Sequence, residues 1–562
     1  LYGPKTGGAW GAGVSLVGPQ GPQGPAGSAN GWALTGNAGT DPATNFLGTT
    51  NDQALVFRVN NLPSAYMGSQ NTSTAFGYDA LDPSAGSVSS TAIGHRALSM
   101  AVSGSNTAVG SSAMAATTSG GFNTVLGTEA LFTNTTGASN SGLGWHALYA
   151  NTTGLSNCAL GYGALNANTT GSFNVGSGHG TLNSNTIGNN NIAMGYSAMQ
   201  QNVSGSSNIA IGVRALRLNV NRGNLVAIGD SALFNNAAGL GPLSGETPAP
   251  TGYFNTAVGS KAMYANVTGY RSSAFGYNAL RKSLGSQNTA AGAEALSNNT
   301  TGEYNTSVGA FALYTNTTGS GNTALGLSAL ASNTGNGEYN TGVGYSSLAI
   351  NTIGRYNTGV GFSTMANNTT GNNNTAIGRS AGASVDGISN TTAVGYDARP
   401  TATNMVRVGN TLVTSINGAV NFTMVSDARF KRELRTDVQG LDFILALKPM
   451  TYTYDVTGLR EFLKEGIEKD KDGNEVRVSN PEIDQAIAEK EAIRYSGFLA
   501  QDVEKAARSV GYDFSGVDAP KNAESLYGLR YAEFVVPLVK AVQEQQALIE
   551  RLEERIRQLE VR

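Results

Sequence analysis

The chain has 562 residues, enough for several domains, and 35 Lys and Arg against 38 Asp and Glu give it a net charge of −3. That balance excludes a basic nucleic-acid footprint, the absence of any long apolar run excludes a membrane-spanning helix, and the single Cys158 excludes a disulfide framework. The charge is unevenly placed: residues 426–562 hold 47 of the 73 charged side chains, which predicts a domain boundary near residue 425. The sequence starts at Leu1 without an initiator Met, so a leader or anchoring segment is expected upstream, with an anchoring structure as its partner.

Residues 1–33 read as a collagen-like or linker segment. The stretch GPQGPQGPAG (18–27) is three Gly-X-Y triplets, and glycine at every third place is needed only where three chains wind around one axis. A proline-rich linker is the alternative for so short a run. Residues 34–67 read as a short β connector.

From 68 to 398 the chain repeats itself. Nineteen glycines, from Gly77 through Gly94, Gly110 and Gly127 to Gly395, recur every 17 residues with a waver of one, and a single break of 30 lies between Gly229 and Gly259. A fixed short period means a solenoid. Each unit reads Asn-Thr-Ala-(Val/Ile/Leu)-Gly-x-x-Ala-(Leu/Met), then a turn that is often Asn-Thr-Thr-Gly, as at 134–137 and 151–154. Gly and Asn recur too often for a helical stripe. The expected fold is therefore a mainly β fibre: a parallel β-roll with one rung per unit, two short strands and two turns in each rung. At about 4.8 Å between rungs, such a rod is about 90 Å long. The expected core is thin, one Val/Ile/Leu and one Leu/Met per rung. Ala columns are expected to face neighbouring chains, which would make the rod an oligomer.

The period also stacks surface side chains into columns. The position after the repeat glycine holds Tyr78, Trp145, Tyr162, Tyr196, Tyr277, Tyr345 and Phe362, with His95 and His179 among them. This column is the candidate ligand surface, for a cell-surface glycan or host receptor; rings stacked to stabilise successive rungs are the competing reading. A second column holds Phe122, Phe173, Phe254, Tyr304, Tyr339 and Tyr356. The Asn-Thr-Thr sites match glycosylation sequons, yet repeated Asn at turns explains them without sugar. Carboxylates are sparse, and Glu294 and Glu303 in adjacent rungs fall in different columns, so no pair faces a glycosidic bond. His95, His146 and His179 lie rungs apart, and neither metal nor cofactor is expected. The Gly- and Pro-containing insert at 237–250 is a candidate recognition loop or a tolerated surface insertion.

Residues 399–425 read as a β neck, and from Ser426 the period ends. LDFILALKPMTYTYD (441–455) predicts a helix, a Pro-marked stop and a strand; KDGNE (471–475) predicts a hairpin-type turn; 481–511 predicts helix, strand, helix; 526–560 predicts a long terminal helix. Val542, Gln545, Ile549, Leu552, Ile556 and Leu559 alternate by three and four, the a/d seam of a coiled coil over 531–562, with Arg555 at g and Glu560 at the following e. Collagen-like start, Ala-lined roll and coiled-coil end agree on a homotrimer.

Three stretches in order, SDARFKREL (426–434), GFLAQDVEKA (497–506) and YGLRYAEFVVPLVKAVQEQ (527–545), make residues 426–562 resemble the intramolecular chaperone domain of peptidase family S74, an α+β domain that ends phage tail fibres, tailspikes and bacterial surface fibres. The repeats are similar, more loosely, to the trimeric adhesin head of the YadA type. The first resemblance implies a domain that trimerises, holds three chains in register and is then cut off. It implies Ser426 as nucleophile and Lys431 as its base, with a scissile bond adjoining Ser426, Ser426–Asp427 preferred. Gly497 matches a family glycine needed for close packing near the site. Chemistry asks for the same parts: a serine hydroxyl needs a base, and a lysine serves only when burial or positive neighbours destabilise its ammonium. Arg429 and Arg432 flank Lys431 and would supply such neighbours.

The expected molecule is a homotrimeric adhesin or fibre, extracellular, on a phage virion or a bacterial surface, whose only activity is one self-cleavage. A purely structural filament subunit and a polysaccharide-degrading tailspike are the rival readings.

Overall fold

The computed structural model describes residues 38–41, 43–68, 72–81, 88–101, 104–236, 238, 251–419, 423–469, 475–478 and 480–561. The collagen-like triplets, nearly all of the 237–250 insert and most of the KDGNE stretch lie outside the described residues.

A hairpin of β1 (Leu55–Val59) and β2 (Leu62–Met67) opens the described part. β2 pairs antiparallel with β3 (Thr74–Phe76), so the hairpin covers the first edge of the repeat ladder. From β3 to β21 (Thr392–Val394) every strand is three residues long and pairs parallel with the next in strict repeat register. Thr107, Ala108 and Val109 face Thr124, Val125 and Leu126, for example. At the break, β12 (Val226–Ile228) pairs directly with β13 (Thr256–Val258), so the insert leaves the ladder unbroken. β22 (Val406–Val408) closes the stack against β21. The chain is a β-solenoid with 17-residue repeats, as its period predicts.

Two details differ from expectation. Each rung has one strand, not two. The reason lies in the backbone after the repeat glycine, where Ser112 and Met114 both sit at φ 55° and cannot extend. The far side is therefore a run of turns, still tied rung to rung by bonds such as Met114 N–H to the Ala130 carbonyl at 2.9 Å. At the corner itself Gly110 has φ 137°, and a Cβ there would run into the Gly127 carbonyl, so only glycine fits.

The core is also inverted. Both Ala columns point inward, with Ala108, Ala113 and Met114 fully buried, while Leu126, Leu160 and Ile377 of the Val/Ile/Leu column stand outside at 50, 45 and 47 % exposure. In a three-residue strand only the middle side chain faces in. Across so narrow a coil, Ala opposite Leu or Met fills the space that two branched residues would overfill.

Asparagine supplies the rest of the interior. Asn123 donates to the Oδ1 of Asn106 at 3.2 Å and to the Gly137 carbonyl at 3.0 Å, and its own Oδ1 accepts the Asn140 N–H at 2.9 Å. A second ladder runs through the turns, Asn151 to Asn134 and Asn168 to Asn151, both at 2.8 Å. These turn residues head the Asn-Thr-Thr sequons, and they are fully buried with their amide nitrogens already donating. They are structural, as repeated turns require.

The C-terminal part is a small α/β unit. α1 (Leu441–Ala446) precedes β23 (Met450–Tyr452), α2 (Val456–Phe462), β24 (Ile467–Lys469), β25 (Glu475–Arg477) and α3 (Pro481–Glu491). β26 (Tyr495–Gly497), α4 (Ala500–Ser509), β27 (Val517–Asp518) and β28 (Gly528–Leu529) come next. The core packs Phe443 of α1 with Val503, Ala506, Ala507, Phe514 and Phe534. The terminal helix α5 (Val535–Glu560) starts nine residues later than predicted, because β28 and a 3-10 turn (Tyr531–Phe534) use the start of that stretch. Pro537 sits in its first turn, where no backbone donor is missed.

Candidate self-cleavage site

The first turn of the terminal unit assembles the site. Asp427 caps a single 3-10 turn, Ala428–Phe430, by accepting the Arg429 N–H at 2.9 Å. The turn folds the chain back on itself, and Lys431 Nζ donates to Ser426 Oγ at 2.7 Å. Arg429 does not face the lysine. Its guanidinium grips Asp427, Nη2 to Oδ2 at 2.6 Å, which holds the Asp427 carboxyl below its ordinary range and raises Arg429 above its own. Arg432 is exposed. Ser426 and Lys431 both stand in the open, and their chain neighbours Val425 and Phe430 are exposed too, at 89 and 76 %.

This arrangement is complete in geometry and incomplete in environment. An amine in bulk water holds its proton and cannot take one from a serine.

Gly497 lies elsewhere. It ends β26, opposite Met450, under the hydroxyl of Tyr531, which accepts the Phe498 N–H at 3.1 Å. Any Cβ at Gly497 would collide with that hydroxyl. The groove here is lined by Pro449, Met450, Thr451, Ser496, Phe498 and Tyr531, and neither Ser426 nor Lys431 borders it. Within one chain Gly497 maintains the build of the domain.

The order of these parts, a serine at the start of the unit and a small α/β body behind it, agrees with the comparison against protein families. Residues 426–512 match the Peptidase_S74 family, described as chaperone of endosialidase. The endosialidase-chaperone segment begins at the serine of the pair and ends at Tyr512, before β27, β28 and α5. No curated protein and no solved structure matches the chain. A β-solenoid followed by an endosialidase-chaperone domain fits a tail-fibre or tailspike type of protein. Among the described residues no helix is long and apolar enough to cross a membrane.

The remaining candidates fall into two groups. On α5 the seam residues Val542, Gln545, Ile549, Leu552, Ile556 and Leu559 are all exposed, as are Arg555 and Glu560, so the helix leaves its apolar face unpartnered. On the solenoid the ring column is exposed throughout and partly stacked. Trp145 lies 4.7 Å from Tyr162, Tyr162 4.8 Å from His179, His179 5.4 Å from Tyr196, and Tyr345 5.1 Å from Phe362. Tyr78 stacks on His95 at 5.8 Å, and Tyr277 is exposed in the same column. In the second column only Tyr339 and Tyr356 stack among the described residues, at 5.3 Å.

Sequence reasoning missed a cluster of buried charge at the junction: Asp397 and Arg399 beside β21, Arg407 in β22, and Arg460 and Glu465 at the end of α2. On the shaft side its sequence signal was charge in a sparsely charged stretch; Arg460 and Glu465 sit among many other charges and carry none.

Proposed function

We propose that the protein is a homotrimeric fibre of a phage virion or bacterial surface, and that its endosialidase-chaperone domain aligns three chains and then cuts itself from the shaft at Ser426. The observation that carries this is the 2.7 Å contact of Lys431 with Ser426 at the first residues of the family match. Lys431 takes the serine proton, the oxygen bonds to the carbonyl carbon of the scissile peptide, the C–N bond breaks as Lys431 returns the proton to the leaving amine, and water hydrolyses the resulting ester to free the serine. The net change adds one water across one peptide bond, leaving a carboxylate on one piece and an amine on the other.

Trimer formation is supported by what a single chain leaves in water. The outward column is apolar and exposed on most rungs, the α5 seam is bare, and Val425 and Phe430 beside the Ser426 pair are exposed. Buried apolar area contributes roughly 25 cal/mol per Å², so a stripe spread over so many rungs is costly to leave wet. The Val/Ile/Leu column replaces the Ala columns as the face between shafts. Packing three terminal domains together over this exposed turn would dry the Ser426 pair, so cutting waits for assembly.

A chaperone is needed because a rod of like rungs can slip by one rung at little local cost. Once its covalent link is cut, an unfolded shaft has no attached chaperone to refold it, and the fibre is kinetically trapped. The division we assign is 1–33 collagen-like segment, 34–67 connector, 68–398 shaft, 399–425 neck and 426–562 chaperone domain with its coiled coil. The exposed ring column, Tyr162 and Tyr196 within it, is the surface assigned to a glycan or host receptor.

Light scattering of the uncut Ser426→Ala chain tests the assembly. The reading requires a particle of three 57.7 kDa chains, and a monomer at micromolar concentration contradicts it.

A further inference from the structure

The point of the proposed cut lies in exposed chain without helix or strand, residues 413–419 and 423–426. Polar contacts that bridge it lie elsewhere, and those of Asp397 and Glu465 are deeply buried. On the shaft side, Asp397 is fully buried, accepts from Arg399 Nε at 2.6 Å, and accepts the backbone N–H of Gly466 from the terminal domain. On the domain side, Glu465 is fully buried and reaches the other way. Its oxygens accept from the Thr411 N–H at 3.1 Å, the Thr411 hydroxyl at 2.6 Å and Arg407 at 3.0 Å, all on the shaft side, and from its own domain's Arg460 at 3.5 Å.

Each carboxylate thus crosses the junction in the opposite sense. Two further bonds cross beside them: Asn522 Nδ2 donates to the Thr401 carbonyl at 3.0 Å, and Lys490 donates to the Val413 carbonyl. Three separate segments of the terminal domain, near 465, 490 and 522, therefore hold the end of the solenoid, and none includes the scissile bond.

We propose that the cut at Ser426 does not by itself release the terminal domain: a buried clasp centred on Asp397 and Glu465 keeps it seated on the last rung as the end cap of the solenoid. The clasp rests on the self-cleavage reading for its biological meaning but not for its geometry. Capping answers a need of the fold, since a solenoid's last strand exposes a row of unpaired backbone groups. Here the Thr411 N–H and the Gly409 carbonyl, just past β22, are taken up by Glu465 and Arg407, where a further rung would otherwise take them.

The test uses the full chain carrying Ser426→Ala, with a foreign protease site inserted after Thr423, so that cutting does not depend on Ser426. The chain is cut by the added protease and passed over a sizing column in native buffer and again in denaturant. The clasp predicts that the two pieces co-elute natively and separate only in denaturant. Glu465→Ala leaves Arg407 and Arg460 without their partner, and separation should be about a hundredfold faster, the scale seen when one member of a buried ion pair is lost. Thr411→Val removes one hydroxyl bond to Glu465 and keeps the Thr411 backbone bond, and should speed separation by about tenfold. Native separation of the wild-type clasp, or retention equal to wild type in both variants, overturns the proposal. Failure of the unmodified chain to cut itself would strike the proposed function and leave this result standing.

Discussion

Lys431 Nζ lies 2.7 Å from Ser426 Oγ across a one-turn loop, with both side chains exposed. A contact that short in the open contributes little to stability, because exposed pairs are well solvated. Lys431→Met should therefore leave thermal unfolding within about 0.5 kcal/mol of wild type. The same change should abolish cutting, read as the lifetime of the uncut chain on denaturing gels.

The turn that sets this contact depends on Asp427. Asp427→Ala removes the cap and frees Arg429, so the pair loses its fixed separation. Cutting should slow by about tenfold, within the range one misplaced catalytic group costs. Asp427→Asn, which keeps the cap acceptor, should recover most of the rate.

The Asn ladders carry the shaft. Asn157 accepts the Asn174 N–H at 3.0 Å and donates to Asn140 at 3.1 Å and the Gly171 carbonyl at 2.8 Å. Asn157→Leu orphans buried groups in two neighbouring rungs, each costing about 1–3 kcal/mol. Unfolding in denaturant should shift accordingly, whereas Asn372→Leu, a partly exposed turn position, should shift it far less.

The inward Ala column gives a sharper contrast. Ala210→Val overfills a fully buried site and should destabilise by about 1–3 kcal/mol. Ile211→Val, one residue on and facing out, should cost less than that in a monomer.

Near the end of the shaft, burial would push the Asp386 carboxyl up, but the Thr369 hydroxyl and the N–H groups of Thr369, Thr370 and Gly387 outweigh it and hold it below its ordinary value. A depressed carboxyl adds stability above its unfolded value, about 3.9, and loses it as pH falls through the lower folded value. Protection of the Thr369 and Thr370 amides should therefore persist at pH 5 and be lost only as pH falls below the ordinary aspartate range, and Asp386→Asn should remove that pH dependence.

The solenoid was legible because its period is a global property, written nineteen times over. Which way a column faces is local, and there the pattern misled. Val, Ile and Leu look like core in any sequence, and only the three-residue length of the strand turns them outward. The Ser426–Lys431 pair was legible through resemblance to a family. The Arg429–Asp427 grip was not, because a flanking positive charge and a paired one look alike in sequence. The clasp was least legible of all. Asp397 and Glu465 are 68 positions apart, and nothing local marks either as buried.

The most direct measurement compares the wild-type chain with Ser426→Ala on denaturing gels after expression under identical conditions. The account predicts a 136-residue fragment, 427–562, from wild type and an intact chain from the variant. Identical patterns from the two, cut or uncut, would contradict it.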